Sequence, residues 1–446
     1  MNPGTTSMTK PHGLHRGLMI GFIIALAFLL CLLASAPAQK SESISAVSAQ
    51  EVEVKAVDWP HFQGPARNNT TTESGWTKDW PADGPPTLWK ANVGRGLASF
   101  AVVGNRIYTA GNDGADKDVV VCLDLDSGKE LWRFEYACVT ATHPMPIVPY
   151  GPGATPTVVD GRVFTLSREG HLHALDAGTG KLIWKKHLVE DFKGKRPVYG
   201  YAGSVLAEGG HLFVDNGGDT QSTLCLEQKS GEIIWAKGKG EAGYATPGFA
   251  SFGSSTRTLV LFKGEALTLL DPSNGNLLAE YAATTRDFSN CATPYVNGNR
   301  VFISHTGSQG SSVFNYADGK LKSAWNDRDL GLLFNSGVPW EGNLIAFNDQ
   351  KRGAKDFRCI DLTTGGSLWV NSDIDKGTAI LSDGHLLILT NTGELVLAKP
   401  GREALEIVSR VQVLAGKGYV LPVLSNGRIL CKNNAGDVVC LDVRAK

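Results

Sequence analysis

Ala174-Leu175-Asp176-Ala177-Gly178-Thr179-Gly180-Lys181-Leu182-Ile183-Trp184 is the stretch on which the reading of this chain turns. It returns in close copies at residues 122–132 (CLDLDSGKELW), 225–235 (CLEQKSGEIIW) and 359–369 (CIDLTTGGSLW). Weaker copies follow Leu269 and Phe314, and Cys440-Leu441-Asp442-Val443 opens another. A phrase that recurs at intervals of tens of residues marks a repeat architecture.

Each copy is preceded by a hairpin of alternating apolar residues, such as residues 157–166 (TVVDGRVFTL). Asp160-Gly161 between the two runs suits a tight turn with positive φ. The same signal recurs at Gly104-Asn105, Gly209-Gly210, Asn297-Gly298, Glu341-Gly342, Asp383-Gly384 and Asn426-Gly427. A third strand then ends at Asp176 and a fourth begins near Lys181. Between them Asp176 and Thr179 can bond the turn backbone, and Gly180 takes the left-handed position. Four short strands with a Trp on the last describe one blade of a propeller.

Hairpins are expected to begin near Ala101, Thr157, Val205, Ser255, Tyr295, Val338, Ile380 and Val423. The final repeat lacks a fourth strand, whereas residues 87–93 (TLWKANV) form an orphan fourth strand ahead of the first hairpin. Pairing the two removes an open edge that would invite aggregation. The expected fold is therefore all-β: an eight-bladed β-propeller of four-stranded blades, closed by an N-terminal strand. The copies near Ser255 and Ile380 lack the Trp, so seven regular blades plus an irregular element is the alternative.

Composition fits a turn-rich closed repeat, with 52 Gly and 20 Pro, and no long amphipathic helix follows the N-terminal segment. A net charge of −1, with basic residues clustered no further than Lys185-Lys186 and Lys193-Gly194-Lys195-Arg196, points away from nucleic acid. Lys10, His12, His15 and Arg16 precede an uncharged run and the small-residue site Ala36-Pro37-Ala38, which predicts an export signal over residues 1–38. An uncleaved anchor is the alternative, since the run is nearly long enough to span a bilayer. Residues 39–58 read as a Ser- and Glu-rich linker. Residues 59–86 form an arm which, with the orphan strand, contains Trp59, Trp76, Trp80 and Trp89, four of the ten Trp. The arm is expected to pack on the propeller (87–446), or else to line or lid a binding face.

The phrase Ala-x-Asp-x-x-Thr-Gly-x-x-x-Trp resembles the tryptophan-docking repeat of the PQQ-type β-propeller family. That family includes quinoprotein alcohol dehydrogenases and non-catalytic assembly factors of the BamB type. The segment WPHFQGPARN is similar to the opening of exported PQQ-repeat proteins from Planctomycetes-like bacteria. The resemblance implies that Trp132, Trp184, Trp235 and Trp369 wedge between blades, held by turns such as Asp176, Thr179 and Gly180.

Activity has to be argued from a site and does not follow from the fold. A quinoprotein dehydrogenase needs calcium-binding oxygens, a carboxylate base and an Arg beside the quinone. The sequence has no adjacent cysteine pair and no Cys-x-x-Cys-His haem motif. Asp124-Leu125-Asp126 and Asp327-Arg328-Asp329 are its nearest carboxylate pairs, and neither has the regular oxygen spacing of a calcium loop. No metal site, no catalytic residue and no cofactor is therefore expected.

Aligning the blades places small and hydroxyl residues on the strands lining the channel: Ser99, Thr155, Thr246, Thr293, Ser336 and Thr378. These are small where strands converge, or they offer hydrogen bonds to a ligand at the funnel mouth. Arg95, Tyr199, Tyr201 and Tyr244 lie just upstream, at the same mouth. The expected function is an exported binding or assembly scaffold, periplasmic or in the cell envelope. It would be monomeric, with a protein or peptide partner at the propeller face. An uncleaved N-terminal segment would associate it with the membrane. The alternative is a PQQ-dependent oxidoreductase using calcium. Cys122, Cys225, Cys359 and Cys440 share the column of Ala174, one to a blade, and are expected to be free thiols.

Overall fold

The computed structural model describes residues 58–139, 151–253, 257–307, 309–351 and 353–445. The expectations placed on residues 1–38 and on most of the linker lie outside them. The strands form eight antiparallel four-stranded sheets, each a blade, one of which gains a short fifth strand. Blade 2 is representative: Thr157–Val159, Arg162–Leu166, His171–Asp176 and Leu182–His187, ordered from the channel outward. Its first hairpin turns on Asp160 and Gly161, with φ of 49° and 70°.

Closure is made by the N-terminal strand. Thr87–Asn92 pairs antiparallel with Asp437–Asp442 and completes blade 8, with Trp89 opposite Cys440. Asp442 N donates to Pro86 O at 2.8 Å and Val93 N to Gly436 O at 2.9 Å, which extends the seam.

Innermost strands begin at Ala101, Thr157, Leu206, Gly248, Tyr295, Val338, Gly377 and Val423. The fourth departs from the expected start near Ser255. Gly248–Ser251 is its inner strand, and Gly253 opens the turn that leads to Arg257–Phe262. That hairpin lacks the Asn-Gly or Asp-Gly signal that marks most of the others, so nothing in the sequence separates its turn from its first strand.

The docking Trp residues reach forward. Trp132 Nε1 donates to Ala177 O at 3.0 Å, in the turn of the next blade, and its ring lies over Gly180. A Cβ on Gly180 would sit 2.6 Å from Trp132 Cδ2, and φ there is +71°. The turn is drawn tight by Asp176, whose Oδ1 accepts from Thr179 N (2.8 Å) and Thr179 Oγ1 (2.7 Å). The equivalent indole bonds from Trp89, Trp184, Trp235, Trp325 and Trp369 end on Leu125, Gln228, Pro272, Leu362 and Gly401. Blades 4 and 7 supply none, as the missing Trp implied. At the junction of blades 4 and 5, Tyr281 packs on Phe314 instead, with ring centroids 4.2 Å apart.

Opposite five of the six, across the strand pair, stands a small residue (Cys122, Ala174, Cys225, Cys359 or Cys440), and opposite Trp325 stands Val313. A bulge beside the pair turns the indole out of its own sheet. All four cysteines are buried and free. Burial raises their thiol pKa to about 11 at Cys122 and about 12 at the other three.

Candidate functional site: a one-ended central channel

Loops that leave the outermost strand of one blade for the innermost strand of the next converge around the ring axis. They enclose a cavity of about 620 Å³, within the ~300–1,000 Å³ usual for ligand pockets. Two aromatic pairs stand at its rim. Tyr199 and Tyr244, on the loops entering blades 3 and 4, lie 5.8 Å apart, and the Tyr244 hydroxyl accepts from Tyr199 N at 3.1 Å. Phe334 and Tyr419, on the loops entering blades 6 and 8, lie 5.3 Å apart, and Phe334 is 50% exposed. The loops belong to opposite halves of the ring, so the pairs face each other across it.

The arm closes the other end. Trp59 exchanges two backbone bonds with Val102 of blade 1 (2.8 and 2.7 Å), and Val158 N of blade 2 donates to Pro60 O at 2.8 Å. Positive φ at Gln63, Gly64, Arg67 and Asn69 then folds the chain into a compact loop. Gly64 is required there, because a Cβ would meet the Trp59 ring at 2.9 Å. By Asn69 the arm has reached the far side. Asn69 Nδ2 donates to Gly337 O of blade 6 at 2.7 Å, and Leu381 N of blade 7 donates to Asn69 O at 2.9 Å. Thr70–Thr71 continues as the fifth strand of blade 7. Phe62, Gln63 and Asn69 therefore form the floor of the cavity, so the arm both packs on the propeller and lids one end of the channel.

The hydroxyl residues read from the sequence form a belt that joins blades. Ser99 N donates to Thr155 Oγ1 (3.0 Å), Thr155 N to Ser204 Oγ (2.9 Å) and Ser204 N to Thr246 Oγ1 (3.0 Å). Thr246 N continues to Thr293 Oγ1 (3.3 Å) and Thr293 N to Ser336 Oγ (2.8 Å). Ser99 and Thr378 donate their own hydroxyls to Leu421 O and Val420 O, ahead of blade 8. At the blade 6–7 step, Asn69 of the arm makes the bridge. Of the belt hydroxyls, those of Ser204, Thr246, Thr293, Ser336 and Thr378 also line the cavity. All of these residues except Thr378 precede the inner strands, whereas the sequence alignment placed them within the strands.

Tyr199 and Tyr244 line the mouth, but Arg95 and Tyr201 do not. Arg95 is exposed beside Gly114 on the blade 1 rim. Tyr201 is buried between blades 2 and 3, with its hydroxyl on Asn216 O at 2.9 Å. Among the described residues, the charged side chains that do line the channel are Arg168, Arg286 and Asp287. Arg168 is buried and donates to Tyr199 O at 3.2 Å, and burial lowers its pKa. Burial also raises the Tyr244 and Tyr199 phenols and carries the Cys291 thiol to about 12, so these groups stay protonated at neutral pH. With these groups the described residues of the mouth are equipped to stack and to hydrogen-bond.

The profile of the PQQ-repeat family described as outer membrane protein assembly factor BamB matches residues 116–371. The chain belongs to the PQQ-type β-propeller family. A 1-butanol dehydrogenase (cytochrome c) of Thauera butanivorans is 33% identical over 110 residues, 22% of this chain and 14% of the relative. Outer membrane protein assembly factor BamB of Moranella endobia is 35% identical over 83 residues, 18% of this chain and 21% of the relative. The matches thus span less than a quarter of either relative's length. Among solved structures, BamB from Moraxella catarrhalis superposes with a TM-score of 0.58 at 15% identity, covering 80% of this chain and 99% of that one. That likeness is one of fold.

Proposed function

We infer that this PQQ-type propeller is an exported, non-enzymatic binding scaffold that receives a protein or peptide partner at its channel mouth. Its role would be similar to that of the BamB-type assembly factors. One observation carries the reading: the arm floors the channel, and the open end presents two facing aromatic pairs with few charges. Aromatic rings with polar tips supply contact area at low entropic cost, the usual currency of polypeptide recognition. A blind channel admits a loop or a chain end.

The competing reading, a quinone-dependent oxidoreductase, draws on the likeness to the butanol dehydrogenase. Calcium and a trianionic quinone together need several carboxylate oxygens and cations converging on one point. Among the described residues the channel contributes one carboxylate, Asp287, and no three His, Cys, Asp or Glu side chains converge as metal ligands. That donor set does not fit the cofactor.

A photo-crosslinking residue at Phe334 should capture a discrete partner in the cell envelope, while one at Leu277, on the outer edge of blade 4, should not. Crosslinks confined to Leu277 would overturn the proposal. So would stoichiometric PQQ binding with calcium accompanied by dye-linked alcohol oxidation.

A further inference from the structure

Beside the channel floor lies a second cavity of about 760 Å³, between the arm and blades 2 to 5. Phe62, Gln63, Thr246 and Thr293 line both, so the arm loop is part of the wall between them. One part of its wall is apolar, built from Val158, Pro247, Phe249, Val260, Pro294 and Tyr295, and the arm adds polar side chains at Asn68, Thr70, Thr71 and Thr72. Charge is concentrated at one point, where Arg67 of the arm meets Glu208 and Arg257 of blades 3 and 4.

The three charges do not balance. Arg257 Nη2 holds Glu208 Oε2 at 2.5 Å, and its guanidinium lies 4.4 Å over the Phe249 ring. The single carboxylate is thereby taken. Arg67 donates one bond, to Ala207 O at 3.2 Å, and forms no ion pair among the described residues. His61, buried alongside, adds no negative charge, since burial and the Arg67 charge keep it neutral. A half-buried guanidinium beside a second arginine costs free energy until an anion joins it. Burial, opposed by Glu208 and reinforced by Arg257, holds the Arg67 pKa down to about 10.

We propose that this cavity is a binding site for a carboxylate carried on an apolar body, with the carboxylate on Arg67 and the body between Phe249 and Tyr295. A guanidinium offers a fork that matches a carboxylate, and the apolar walls reward a chain or side chain attached to it. An acyl chain and the C-terminus of an apolar peptide share this chemistry. The site is separate from the channel mouth and stands whether or not the mouth binds a partner.

Calorimetry at low salt with sodium octanoate and with 1-octanol tests the charge without any variant. Octanoate should bind at least ~10-fold more tightly than octanol, and equal affinities, or no octanoate binding together with no binding of the peptide acid below, would refute the site. Arg67→Gln, checked for an unchanged melt, should abolish that preference, and its persistence would refute the role of Arg67. Phe334→Ala, at the channel mouth, should leave octanoate binding unchanged; a loss there would move the ligand into the channel and overturn the proposal. Acetyl-Val-Leu-Phe with a free C-terminus, compared with its amide, separates the two sources. Preference for the acid over octanoate assigns a peptide end, the reverse assigns an acyl chain, and an amide that binds as well as the acid counts against the site.

Discussion

The contact between Trp132 and Gly180 lends itself to a double-mutant cycle, because each residue's cost depends on the other. Trp132→Ala removes a buried indole and its bond to Ala177 O, a loss of about 3–5 kcal/mol for a large aromatic. Ala177 O keeps a second donor, the Tyr108 hydroxyl at 3.2 Å, so no fully orphaned carbonyl adds to that figure. Gly180→Ala has two components. A side chain at φ +71° costs about 1–2 kcal/mol in left-handed backbone. Its Cβ would also overlap the Trp132 ring at 2.6 Å, an overpacking of about 1–3 kcal/mol. Only the second component needs the indole. The double variant should therefore fall short of the sum of the singles by about 1–3 kcal/mol, read as urea midpoints at constant slope. Trp132→Ala combined with Gly128→Ala is the control, because Gly128 lies under Trp89 at a different junction and should add to it independently. Additivity of the Trp132 and Gly180 changes to within about 0.5 kcal/mol would refute the stacking argument.

Deleting residues 39–93 leaves Asp437–Asp442 as an unpaired edge, so the truncated protein should scatter light or lose a cooperative melt; an unchanged melt would refute closure by the N-terminal strand. Iodoacetamide at pH 8 should spare Cys122, Cys225, Cys359 and Cys440 in the native protein and label all four after unfolding, and mass mapping that links any two would contradict their placement. Lys432 is fully buried, with Nζ on Ala98 O (2.9 Å) and Ala110 O (3.0 Å), and burial lowers its pKa from 10.5 to about 7. Between those values the unfolded chain holds the proton and the folded chain does not. The penalty is thus full below pH 7 and lifts as pH rises toward 10.5. Wild type should gain stability relative to Lys432→Met from pH 7 to pH 10, by up to ~1.4 kcal/mol per pH unit, and parallel profiles would refute the assignment.

The architecture was legible because its signals are local. The Asp-x-x-Thr-Gly turn and the Trp four residues past its Gly lie within one eleven-residue phrase, and hairpin turns such as Asp160-Gly161 mark the strand ends. Blade 4 slipped where that signal lapses, at Gly253. The site was less legible because it is assembled between repeats. The belt hydroxyls were visible as a column of Ser and Thr, yet those of Thr155, Ser204, Thr246, Thr293 and Ser336 accept from the preceding repeat, 42 to 56 residues away, and no local pattern announces that. Phe334, Tyr419, Arg286 and Arg168 sit in loops of unequal length with no shared register, so nothing singled them out. Arg95 and Tyr201 were placed by position upstream of a strand, which fixes the loop but not the direction of the side chain.

The seam that closes the ring also sets a timetable. Asn92 and Asp437, bonded through their side chains at 2.8 Å, are 345 residues apart in the chain. Contacts of such separation are made late, because chain entropy must be lost before they return anything. The strand Thr87–Asn92 leaves the ribosome among the first parts of the propeller and waits for nearly all of the rest. While it waits it is a short, amphipathic segment with both edges open, and a chaperone or transport factor that covers it would have the whole time of synthesis to act. Completion then comes as one event at the end, and a chain broken off before residue 437 would have assembled blades but no ring.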